Sequence, residues 1–240
     1  MANLKWVNHA KIDIADSFMQ SIGTISCLPP AAVVIIFNNA RIPGNRYGAT
    51  LPKKLSKYAQ TTARLFITAC GNDWDCGIAI DKEICDCINQ FPAYFAYILG
   101  HELGHAHICL SDFDLHVVMC LIDMFIEKVS NGEITQWYER PHEKRFEQFG
   151  IYIAEQLFTR DKLNEEIKRL LCNSRRLDHK WLEIILSLPS SNVFGDLRAL
   201  SINCVKPYKD KFLDLCTNHI EQTKGNSIAA EISNLSGFFQ

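Results

Sequence analysis

Residues 92–109 read PAYFAYILGHELGHAHIC, and the fold reading turns on His101-Glu102-Leu103-Gly104-His105 near their centre. Two histidines four apart on an α-helix project from one face, one turn apart, and can take the same metal ion. Glu102 stands between them, where a carboxylate reaches water at the metal without filling a coordination position; a general base in a metal-dependent hydrolase is placed this way. Pro92 suits the first turn of a helix, and Tyr94, Ala96, Tyr97, Ile98 and Leu99 lead into the motif with helix-compatible, mostly apolar residues. A buried helix carrying two histidines and a glutamate needs a reason. An unpaired polar group in such a place costs roughly 2 to 7 kcal/mol, whereas coordination satisfies both imidazoles at once.

At these residues the chain resembles the zincin metallopeptidases, whose signature is the HExxH helix. The resemblance implies one zinc ion, His101 and His105 as ligands and Glu102 as catalytic base. It also implies an α+β fold: a small mixed sheet, the active-site helix and a mainly helical C-terminal portion. The expected division is a zincin-like domain over residues 1–158 and a helical extension over 159–240, packed on the first.

Catalytic zinc keeps three protein ligands and one open position. His107 is excluded as the third, because two residues past His105 is about 200° around the helix and faces away from the metal. The zincin branch with the longer HExxHxxGxxH motif is excluded by residue identity, since Ile108 and Ser111 occupy the places of its glycine and third histidine. The gluzincin branch instead takes a glutamate from a later helix. HEKRFEQFG at 142–150 offers Glu143 and Glu147, four apart on one helix face. Glu143, Phe146, Glu147 and Phe149 fall in a pattern similar to the ImmA/IrrE type of intracellular metallopeptidase. That resemblance implies Glu143 as ligand and Glu147 as the acid that orients the first histidine, and the two roles can be exchanged.

Taken in order, the rest of the chain supplies a scaffold. Residues 9–20 have helical spacing, and the run from Ala31 to Phe37 reads as a central strand. The loop 38–48 holds Arg41, Arg46 and Tyr47 among turn formers. Arg64–Thr68 and Gly77–Asp81 read as two further strands, joined through the turn GNDWD into a hairpin. By the zincin resemblance, Gly77–Asp81 is the edge strand that receives an extended substrate. Cys70, Cys76, Cys85 and Cys87 offer four thiols for a second metal, though their spacing fits small buried residues better. Helical stripes follow over 115–129 and 141–158, and then a series of helices from Arg160, broken at Pro189 and Pro207. For the oxyanion of the reaction, Tyr97, Arg140, His142, Tyr152 and His179 are candidate donors that the sequence does not rank.

A net charge of −2 over 240 residues argues against nucleic-acid binding by bulk electrostatics, and no apolar run approaches the length of a membrane span. Ten cysteines in a chain of this size with no visible leader fit a reducing, cytoplasmic compartment better than a disulfide framework. The functional expectation is a zinc-dependent metallopeptidase acting on a protein or peptide substrate, with Glu102 as general base on a zinc-bound water. The alternative is a zincin-like protein that binds metal or a partner without turnover.

Overall fold

The computed structural model describes residues 2–7, 16–40, 47–55, 66–67, 71–86, 88–129, 140–173 and 178–222. Four strands, β1 (Asn3–Val7), β2 (Val33–Ala40), β3 (Gly48–Pro52) and β4 (Cys76–Asp81), form one mixed sheet in the order β1-β2-β4-β3. The first three neighbours run parallel, and β3 lies antiparallel against β4. Helices α1 (Asp16–Ile25), α2 (Lys82–Asp86), α3 (Pro92–Ser111), α4 (Phe113–Val129), α5 (Pro141–Leu157), α6 (Arg160–Asn173), α7 (His179–Ser187), α8 (Leu197–Val205) and α9 (Lys209–Gln222) complete the described elements. The fold is α+β, a small mixed sheet with mainly helical content.

By their contacts the residues divide into two units, Met1–Ser111 with Phe146–Val193, and Asp112–Arg145 with Phe194–Gln240. In the first, β2 is buried on both faces, as its β-branched run requires: Val34, Ile35 and Ile36 are fully inaccessible. Ile35, Leu51, Phe66, Trp74 and Ala79 close one core cluster. Helix α3 packs across β3 and β4. Fifteen of its twenty residues are buried, so it is a core helix with no solvent face to speak of. Its start combines Pro92 in the first turn with the buried carboxylate of Glu166, which accepts the Tyr94 N–H at 2.9 Å. The sequence that makes α3 a buried helix thereby fixes where its histidines point.

Helix α5 crosses α3 closely because Gly150 has no side chain. A Cβ there would stand 2.6 Å from the Tyr97 carbonyl oxygen and 3.1 Å from the His101 nitrogen, both backbone atoms that cannot yield. The close crossing brings Phe146 and Glu147 up to His101.

In the second unit, α4 buries Val118, Leu121, Ile122 and Phe125, the stripe expected from its periodicity. Phe125 meets Phe212 edge to face at 5.5 Å. Asp112 caps the helix, its Oδ1 accepting the Leu115 N–H at 3.0 Å.

Two strand expectations are corrected. Gly77–Asp81 belongs to β4, which is flanked by β2 and β3 and is not an edge; the strand outside it is β3. Pro52 tolerates that position because its missing N–H is harmless on an outer strand. Phe66 and Ile67 are helical, so the hairpin partner of β4 is β3 and not the 64–68 stretch, whose remaining residues lie outside the described ones. Residues 9–15, Arg41, Arg46, Cys70 and Cys87 also lie outside them. Among the described residues, no helix is long and apolar enough to cross a membrane.

Candidate metal centre

Helix α3 presents His101 and His105 one turn apart with their Nε2 atoms 3.2 Å from each other. Ligand nitrogens about 2.0–2.1 Å from a tetrahedral zinc ion are separated by about 3.3 Å, so the pair stands at coordination spacing. Phe146 fixes the rings. Its own ring lies against His105 with centroids 3.8 Å apart and meets His101 edge-on at 6.1 Å.

Glu143 stands on the first turn of α5, one turn before Glu147. His101 and Glu143 are buried and His105 is half-buried. Two imidazole nitrogens at this spacing fit a zinc ion, and a glutamate is a usual third donor in its catalytic sites.

Glu147 is placed differently. It is fully buried; its Oε1 accepts the Trp181 Nε1–H at 3.0 Å, and its Oε2 accepts the Tyr97 hydroxyl. The same Oε2 lies 3.4 Å from Nδ1 of His101. A carboxylate beside Nδ1 holds the ring proton there and leaves the Nε2 lone pair for a metal. Burial pushes the Glu147 carboxyl up to about 8, against the pull of the Trp181 hydrogen bond. Of the two glutamates, Glu147 is the one that backs His101.

Glu102 is engaged from the sheet side. The Thr50 hydroxyl, on β3, donates to its Oε2 at 2.7 Å. Gly48, two residues earlier, makes room for it: a Cβ at that position would overlap the Glu102 side chain, reaching within 2.6 Å of its carboxyl carbon. The base candidate is thus held by β3.

Asp123, His142 and Glu143 bring donor atoms within 4.8 Å of one another. Here the positive charge is already supplied by side chains. Arg140 pairs with Asp123 at 2.5 Å, and His142 Nε2 lies 3.1 Å from the same oxygen. Burial works to lower His142, but the hydrogen bonds to Asp123 and Cys204 and the charges of Asp123 and Glu143 carry it up to about 10. That histidine is therefore a cation paired with Asp123.

The remaining candidates find ordinary partners. His107 Nδ1 meets the Cys27 carbonyl oxygen at 2.7 Å, in keeping with its position off the metal face. Tyr97 donates to Glu147, while Arg140 and His142 are committed to Asp123. Cys76 and Cys109 lie with their sulfurs 3.6 Å apart, and Cys85 meets the Ile80 carbonyl oxygen at 3.9 Å.

Thr50, Gly48 and Trp181 are absent from the sequence-derived set. GATLP is too short to announce a strand, and nothing in HKWLEIILS directs an indole to a glutamate 34 residues earlier. Comparison with protein-family models, with curated proteins and with solved structures finds no match to this chain.

Proposed function

We propose that the chain is a zinc-dependent metallopeptidase of the gluzincin kind, similar to the ImmA/IrrE type, that hydrolyses a peptide bond in a protein substrate. The observation that carries the reading is the pair of Nε2 atoms 3.2 Å apart, backed at His101 by Glu147, while Glu102 is held separately by Thr50. His101, His105 and Glu143 would hold the ion. Bound there, zinc supplies a Lewis acid that lowers the pKa of water towards about 7 and polarises a peptide carbonyl.

The chain's own groups do the rest. Glu102 takes the proton of the attacking water on its carboxylate and delivers it to the leaving amine. Thr50, donating to Oε2, keeps that carboxylate in one orientation through both transfers. Glu147 holds the proton on His101 Nδ1 and so keeps Nε2 as a donor to the metal. An extended substrate is received along β3, the outer strand beside Glu102, where main-chain hydrogen bonds provide affinity. A cytoplasmic location suits the reduced Cys76 and Cys109, whose thiols meet at 3.6 Å.

The test compares the zinc-loaded native chain with Glu102→Gln and with chelator-treated protein on a mixture of denatured cell proteins, mapping new N-termini by mass spectrometry. New N-termini that require both zinc and Glu102 are the expected result. Stoichiometric zinc with identical peptide maps from native and Glu102→Gln protein would favour the non-catalytic, metal-binding or partner-binding alternative.

A further inference from the structure

We propose that Trp181, on α7 and far in sequence from the HExxH helix, is a positioning residue of the metal centre that acts on His101 through Glu147. The inference rests on the zinc site proposed above and adds a residue to it. Glu147 is a fully buried carboxylate in contact with a histidine, and such a group keeps its place only if its oxygens are satisfied. Trp181 and Tyr97 satisfy them, one on each oxygen. Tyr97 sits on α3 with His101, so its bond ties Glu147 to the helix that carries the histidines. Trp181 is the contribution from outside that helix.

The indole is itself firmly held. It is almost entirely buried, stacks on Tyr47 with ring centroids 4.9 Å apart and planes 16° from parallel, and lies 6.0 Å from the Tyr97 ring. Asp178 caps α7 by accepting the Trp181 N–H at 3.2 Å, and its own N–H reaches the Tyr47 hydroxyl at 3.4 Å. Tyr47 immediately precedes β3, which carries Thr50 against Glu102. One side chain thus touches the acid behind the metal-binding histidine with its N–H and the residue leading into the base-holding strand with its ring face. Trp181→Phe separates the two roles, because it keeps an aromatic face for Tyr47 and removes the donor to Glu147.

The experiment is a zinc titration of the full chain against a chromogenic chelator for native, Trp181→Phe, Glu147→Ala and the double variant, with urea unfolding of each metal-free protein as a check on the fold. Cobalt-substituted samples report the ligand field through their visible absorption. Trp181→Phe should weaken zinc binding by roughly tenfold to a hundredfold and alter the cobalt spectrum, and it should have no further effect once Glu147 is alanine. Native affinity and spectrum in Trp181→Phe would overturn the inference while leaving the zinc site standing. So would an equal loss in the native and Glu147→Ala backgrounds, which marks a route through packing. A native chain that binds no zinc overturns the proposed function, and this inference with it.

Discussion

Thr50 and Glu102 are joined by a 2.7 Å hydrogen bond that runs from the outer strand of the sheet to the glutamate of the HExxH helix. Removing the hydroxyl while keeping the β-branched shape, as in Thr50→Val, leaves a largely buried carboxylate without one of its donors. Hydrogen bonds to charged groups are worth about 1.5–3 kcal/mol, and urea unfolding should register a loss of that order with zinc stoichiometry unchanged. Unchanged stability would mean that β3 does not hold the base.

Gly150 and Tyr97 make the crossing that brings α5 onto α3. Alanine in an exposed helix interior gains about 1 kcal/mol over glycine, but here the added Cβ meets backbone and the sign should reverse. Gly150→Ala is expected to destabilise the metal-free protein by about 1–3 kcal/mol and to weaken zinc binding, because Glu147 and Phe146 are carried away from His101. Denaturant unfolding and a zinc titration check the two effects, and a stabilised variant would contradict the crossing.

Glu147 gives a pH dependence of definite sign. Its folded-state value of about 8 lies above the ordinary 4.5, so between those limits the metal-free folded chain keeps a proton that the unfolded chain has released. The stability this contributes is complete below the ordinary value and is lost as pH rises through the folded one. In chelator, the unfolding free energy of the native protein should therefore fall between pH 5 and pH 8 relative to Glu147→Gln, whose amide does not titrate. Parallel curves would show that Glu147 is ionised in the fold at neutral pH.

Much of the centre was legible from residue spacing because helices have a fixed period. Four-residue spacing placed His101 with His105 and Glu143 one turn before Glu147, and the same period turned His107 away. The central strand followed from the apolar run over 31–37, and the α+β class from the resemblance carried by the HExxH helix. What stayed hidden depends on contacts between distant segments. The outer strand is five residues with Gly48 and Pro52 at its ends, so neither alternation nor β-propensity singles it out, and β4 was taken for the edge in its place. Phe66 and Ile67 carry a strand-like composition but form a helical turn, with Phe66 packed on Trp74 at 5.3 Å. The Trp181 bond to Glu147 depends on α7 folding back, which no local pattern encodes.

Zinc per chain, measured by elemental analysis of protein purified without chelator, tests the central claim most directly when native protein is compared with His105→Ala and Glu143→Ala. Close to one zinc is expected in the native chain, lost in both variants while their folds persist. No zinc in the native chain, or zinc retained in both variants, would contradict that claim.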